Sequence, residues 1–129
     1  PRCETALKDQ RVEPPLGESL QQSPASSKLP LRDWTVLFYL CGDHPALEAH
    51  IETQLETLGR AGSSKHIHIA VQRDRSLGAD RFVMPQGGAP ALPAAEEKLG
   101  AVDTGDAAPV VEFLRWGLER CPSHHVAVV

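Results

Sequence analysis

Residues Thr35 to Cys41 read Thr-Val-Leu-Phe-Tyr-Leu-Cys, an almost unbroken apolar run rich in β-branched and aromatic side chains. A strand with one wet face alternates apolar with polar residues. An unbroken run therefore predicts a strand covered on both faces, the usual condition in a parallel sheet. Two further segments belong with it. His66 to Gln72 (His-Ile-His-Ile-Ala-Val-Gln) alternates, with Ile67, Ile69 and Val71 on one face, and reads as a second strand. His125 to Val129 (His-Val-Ala-Val-Val) begins another buried strand.

The intervals between these runs suit crossover helices. Pro45 to Leu58 places Leu47, Ile51, Leu55 and Leu58 at helical spacing, with Asp43 as its expected cap and Gly59 and Gly62 marking its end. A second helix is predicted from Ala107 to Arg120, capped by Asp106 or Thr104 and ended by Cys121-Pro122. Its expected apolar stripe is Val110, Val111, Leu114 and Leu118, and Pro109 is tolerable because first-turn amides have no intrahelical partner to lose. Between the second strand and this helix, Arg81 to Met84 reads as a short edge strand closed by Pro85-Gln86-Gly87-Gly88. The order strand, helix, strand, edge hairpin, helix, strand predicts an α/β fold: an open, mostly parallel sheet with helices on both faces. The last strand has no helix after it to cover it, so the sheet is expected to break off after its third core strand.

Composition separates the two ends of the chain. Positions 1–32 are rich in proline and serine and carry no aromatic residue, so they bury too little apolar surface to offset the entropy of ordering. They read as a flexible tail or linker. The 129 residues are enough for about one domain. A net charge of −4 without a basic stripe argues against nucleic-acid binding, and no apolar run approaches the length of a membrane span. Three scattered cysteines and the lack of a visible signal segment lean towards a reducing compartment, a bacterial cytoplasm.

In open α/β sheets, ligands collect beyond the carboxyl ends of the strands, which directs attention to Cys41-Gly42-Asp43 and Arg73-Asp74. Cys41 and His44 sit close enough in sequence for a thiolate–imidazole pair, against the alternative that Cys41 is a buried small hydrophobe. Asp43 and Asp74 invite a magnesium-binding acidic pair as in receiver-like phosphoryl-transfer domains. Against that, Asp43 serves as a helix cap, and Asp74 pairs with Arg73, Arg75 or Arg81. His66 and His68 share a strand face, but no Cys-x-x-Cys or His-x-x-x-His spacing completes a zinc site, so a solvated or interfacial face is expected. His124 and His125 read as exposed turn residues. No phosphate-cradling glycine motif is present, and no metal ligand set is assigned.

Three segments carry a resemblance. They are Asp33-Trp34-Thr35-Val36-Leu37-Phe38-Tyr39-Leu40-Cys41-Gly42-Asp43 with Leu47-Glu48; His68-Ile69-Ala70-Val71-Gln72-Arg73-Asp74 with Arg81-Phe82; and Leu99-Gly100-Ala101-Val102-Asp103-Thr104-Gly105-Asp106 with Phe113-Leu114-Arg115-Trp116 and Pro122. In order and spacing, positions 33–129 resemble the amino-terminal half of clostripain-type cysteine peptidases, whose fold is caspase-like. The departures are His44-Pro45 after the turn aspartate and Ala101 at a commonly acidic position.

The resemblance implies a cysteine endopeptidase that hydrolyses peptide bonds after Arg or Lys with a Cys-His dyad. The histidine is expected just past the third core strand and the cysteine on the next, so both fall after Val129, and no catalytic residue lies within the chain. Gly42, Asp43 and His44 are the candidates to line the substrate cleft. Some family members need calcium, which makes it the candidate ion. The implied partners are a carboxyl-terminal half of the same protein and a peptide or protein substrate. A caspase-fold scaffold without the dyad is the alternative.

Overall fold

The computed structural model describes residues 28–129. Most of the expected proline- and serine-rich tail therefore lies outside the described residues. Five strands and two helices follow in the order β1 (Arg32–Cys41), α1 (Pro45–Ala61), β2 (Ile67–Asp74), β3 (Ala79–Val83), β4 (Glu97–Gly100), α2 (Ala107–Arg120) and β5 (Ser123–Val128). They form one sheet in the spatial order β4-β3-β2-β1-β5. β1 lies between β2 and β5 and is parallel to both, with Cys41 level with Asp74 and Leu37 level with Val128. β3 and β4 extend the sheet beyond β2 as antiparallel strands. The sheet is open, mixed and of the α/β class.

Alternation along β1 divides the core in two. On one face Phe38 and Leu40 pack with Ile69 and Val71 of β2, Phe82 and Met84, and Ile51 and Leu55 of α1. On the other, Leu37, Tyr39 and Ala70 pack with Phe113, Trp116 and Cys121 of α2 and its end. One helix thus covers each face, as expected. The fit of α2 is close, since a β-carbon added to Gly117 would lie 2.6 Å from Leu37 Cδ2. Thr35, fully buried, donates its hydroxyl proton to the Cys121 carbonyl at 2.7 Å and ties β1 to the end of α2.

Several expectations need correction. β3 is not an edge strand, because β4 lies outside it, pairing Glu97 with Arg81. The inward face of α2 is Phe113, Trp116 and Gly117, whereas Val111 and Leu118 are about half exposed. On α1 Leu47 is likewise exposed. β5 is not buried: Val126 and Val128 are 42% and 56% exposed. α2 reaches β1 and β2 but leaves much of β5 open, and among the described residues no strand pairs with the outer edge of β5. The α1 face of β1 is also only half covered, leaving an apolar groove of about 280 Å³ between Phe38, Leu40, Leu55 and Leu58. No helix among the described residues is long and apolar enough to cross a membrane.

Candidate functional site

The carboxyl ends of β1 and β2 lie side by side, and the turn that leaves β1 supplies the exposed groups there. Gly42 is buried, and its N–H donates to the Asp74 carbonyl at 3.1 Å. A β-carbon at Gly42 would sit 2.8 Å from that oxygen and 2.9 Å from Ile51 Cδ1. Glycine is therefore required by the close approach of two backbones, and the residue supports the turn from below. Asp43 and His44 are exposed above it.

The helix cap is His44, not Asp43. His44 has extended backbone, and its Nδ1 accepts the Ala46 N–H at 3.3 Å. This leaves the Asp43 carboxylate free of capping duty. Cys41 is exposed, which removes the small-hydrophobe reading, and among the described residues no hydrogen bond joins its sulfur to His44. The buried thiol is Cys121, pushed up to about 12 chiefly by burial.

Asp74 also departs from expectation. None of its three candidate arginines is paired with it. Arg73 points to the α1 face and bridges Glu52 at 2.9 Å and Asp80 at 2.8 Å, over the ring of Phe82. Arg75 pairs with Asp80 at 2.9 Å, and Arg81 pairs with Glu97. Asp74 is 5% exposed, and burial, followed by the charge of Asp43, raises its pKa above the usual carboxylate value. The Arg75 backbone N–H, donating to its carboxylate, opposes the shift. A buried acid held beside a second acid is the arrangement in which proton affinity rises. The same field reaches Tyr39, whose phenol is raised by burial and then by Cys41, Asp74 and Asp103.

The remaining sequence candidates separate. His66 lies just ahead of β2, exposed, and pairs with Asp33 at 2.7 Å. His68 is fully buried on the α2 side, its Nε2 bonded to the Pro30 carbonyl at 2.7 Å, so it faces neither solvent nor His66. Burial lowers its pKa, and Arg32 and Arg120 add to the shift against the Pro30 bond. His124 and His125 belong to β5, where the His125 ring lies 4.8 Å from Trp34. The Asp103-to-Asp106 segment forms a turn in which Asp103 Oδ1 accepts the Gly105 N–H at 2.9 Å. Asp106 caps α2 through the Ala108 N–H. Among the described residues no three His, Cys, Asp or Glu side chains are arranged to hold a metal ion.

Sequence reasoning did not identify Gln72, Arg81 or Glu112 as site residues, yet with Asp103 and Asp106 they line a polar pocket of about 310 Å³ under the start of α2. The register from Tyr39 to Gln72 to Arg81 links it to the strand ends. The signal available in sequence was Gln72 itself, a polar residue inside an apolar strand. No model of a known protein family matches the chain, and no curated protein matches it.

Proposed function

We propose that residues 33–129 are the amino-terminal half of a caspase-like domain in a clostripain-type cysteine endopeptidase. The dyad stands on segments that follow Val129. The observation that carries this reading is that β1, β2 and β5 run parallel, towards the same end of the sheet. Val129 is held between Leu37 and Tyr39 of β1, with the Tyr39 N–H donating to the Val129 carbonyl at 2.9 Å. At Val128 the strand β5 is level with Leu37, four positions before Cys41, and it runs towards the edge that carries Gly42, Asp43 and Asp74. A histidine a few residues further on stands beside that edge, and a strand added to the outer edge of β5 carries a cysteine to the same level. The three resemblance segments support the reading by where they fall: the strand between β2 and β5 with its exit turn, the end of the neighbouring strand, and the turn that caps the second helix.

In this mechanism the imidazole takes the thiol proton, and the thiolate attacks the carbonyl carbon while backbone amides hold the oxyanion. The imidazolium returns the proton to the amine as the C–N bond breaks, and water then hydrolyses the thioester to release the acid and the thiol. Asp43 and His44, exposed at the rim, line the cleft, and the buried Gly42 fixes their position. The acidic character of the edge, from Asp43 and Asp74, suits a basic side chain next to the scissile bond. No step is assigned to calcium. Determining the coding sequence after Val129 tests the reading. A His-Gly pair within a few residues, and a cysteine ending the next apolar strand, are the expected result. Absence of either leaves a caspase-fold scaffold without peptidase activity.

Asp74 favours a second reading, because it is buried with no cationic partner among the described residues and feels the charge of Asp43. Two carboxylates and several waters suffice for magnesium. Under this reading the strand ends bind Mg²⁺ as a receiver-like domain does. Titration with MgCl₂ followed by amide NMR discriminates: unchanged signals at residues 43 and 74 remove it.

A further inference from the structure

A separate cavity of about 250 Å³ lies at the opposite end of the sheet from Gly42, Asp43 and Asp74, where Arg32 opens β1. Leu29, Val83, Met84 and Pro85 form its apolar wall. The segments around it are tied together through their backbones. The Leu29 N–H donates to the Arg120 carbonyl at 3.0 Å, the Ser63 N–H to the Pro85 carbonyl at 2.9 Å, and the Gly87 N–H to the Ser63 carbonyl at 2.8 Å.

The polar lining is made of donors. Among the described residues no carboxylate lines the cavity. Arg120 is paired with Glu96, whereas Arg32, half-buried, has no carboxylate partner among the described residues. The Arg32 guanidinium gives one N–H to the Ile67 carbonyl at 3.1 Å and one to Gln86 Oε1 at 2.9 Å, and a guanidinium has further N–H groups to give. With its oxygen occupied, the Gln86 side chain presents its amide N–H groups. Ser63 Oγ accepts the Ile69 N–H at 3.0 Å and keeps its own proton to donate.

His68 is the exception. It lines the cavity, is fully buried, and its Nε2 donates to the Pro30 carbonyl at 2.7 Å. The ring proton therefore sits on Nε2, and Nδ1, which has no partner among the described residues, is a bare acceptor. Burial, which lowers the pKa of the ring, favours this neutral form. A buried acceptor left empty is costly and uncommon. The lining thus asks for an anion that also carries a proton. A carboxylate or a sulfate has given up its proton at neutral pH. A phosphate monoester keeps one on a large share of its molecules, because its second pKa is about 6.

We propose that this cavity binds a phosphoryl group, with Arg32 and the Gln86 amide holding its anionic oxygens and its P–OH donating to His68 Nδ1. Arginine suits the tetrahedral oxyanion because its planar fork can hold two oxygens at once. The apolar wall takes the alkyl part of a small phosphate ester. The site draws on the amino-terminal ends of β1 and β2, so it stands whether or not the chain belongs to a peptidase.

Amide NMR titration of the intact protein at pH 6.5 and constant ionic strength tests this, with propyl phosphate, inorganic phosphate and sulfate as probes. Saturable shifts at residues 32, 68 and 86 are expected with the phosphates, and the tighter of the two shows whether an ester or the free ion is the ligand. Sulfate, similar in shape but with no proton to give, should bind about tenfold more weakly than inorganic phosphate, the usual scale for one hydrogen bond to a charged group. Arg32→Gln should weaken phosphate binding by at least about tenfold. Gln86→Ala, at an exposed position after β3, should weaken it about threefold and reads the site even if Arg32→Gln fails to fold. No saturable shift with either phosphate overturns the proposal. So does sulfate binding as tightly as inorganic phosphate, or undiminished binding by Gln86→Ala.

Discussion

Gly42 and Asp74 touch through their backbones: the glycine N–H bonds the aspartate carbonyl at 3.1 Å, and a methyl group on Gly42 would fall 2.8 Å from the same oxygen. The contact fixes the height of the turn carrying Asp43 and His44 above the strand ends. Gly42→Ala forces either the turn or Ile51 of α1 to move. Such overpacking costs about 1–3 kcal/mol. The midpoint of urea unfolding should fall accordingly, and Ile51→Val in the same chain should recover part of the loss by making room.

Asp74 is the group at the strand ends that the fold accommodates least well. Its pKa is raised in the folded state by burial and then by the charge of Asp43. The folded state therefore binds protons more tightly than the unfolded chain. Stability gains as pH falls through the folded value towards the ordinary carboxylate value, and the burden is greatest above both. Asp74→Asn keeps an oxygen for the Arg75 N–H and removes the charge. Its Tm should exceed the parent's at pH 7, and the difference should shrink on acidification.

His68 works in the opposite direction. Its pKa is lowered by burial, with Arg32 and Arg120 adding to the effect, so the native state resists protonation while the unfolded chain takes up a proton near pH 6.5. The unfolded state then binds more protons, and stability falls as pH drops below that value. Unfolding free energies measured from pH 8 to pH 5 should decline, and the slope should flatten in His68→Gln relative to the parent. Loosening of the Leu29–Pro30 segment should accompany the decline, since the Pro30 carbonyl is bonded to this ring.

The two described cysteines should differ sharply in reactivity. Cys41 is exposed at the end of β1, whereas Cys121 is fully buried with its thiol pushed up to about 12. In a Cys3→Ser background at pH 8, iodoacetamide should modify Cys41 in the native protein. Modification of Cys121 should track global unfolding, because the thiolate is the reactive form. Mass spectrometry of the peptides resolves the two rates.

Much of the architecture was readable because β1 and β2 have patterns with a single reading. Thr35 to Cys41 formed a strand with a parallel neighbour on each side, although only Thr35 and Leu37 of it are buried and β2 holds the middle of the sheet. Asp106 and Cys121 bounded α2 where expected. The misses have local causes. β4 is short and reads Glu-Lys-Leu-Gly, a composition with little strand propensity, and it pairs because Glu97 meets Arg81 across the ladder. Of the stripe expected on α2, Leu114 packs on the core, but Val111 and Leu118 face outwards because Phe113 and Trp116, the larger rings, bury more surface and set the orientation. The cap of α1 was placed one residue early because histidine is not a favoured capping residue. At the candidate site, sequence located Gly42, Asp43 and Asp74 but not their environment. The partners of Asp74 depended on which sheet face each arginine took. Gln72 was visible only as a polar residue in an apolar strand, and its unmet acceptor depends on the packing of α2 over it.

The central claim is that the edge formed by β1, β2 and β5 serves a cysteine nucleophile carried on a later segment. The direct measurement is covalent labelling of the intact protein with an arginine-derived electrophilic ketone probe, followed by mapping of the modified peptide. Labelling should occur at a cysteine beyond residue 129 and disappear when the histidine following β5 is replaced by alanine. Labelling confined to Cys41, or none at a protein concentration where the probe is in excess, contradicts the claim.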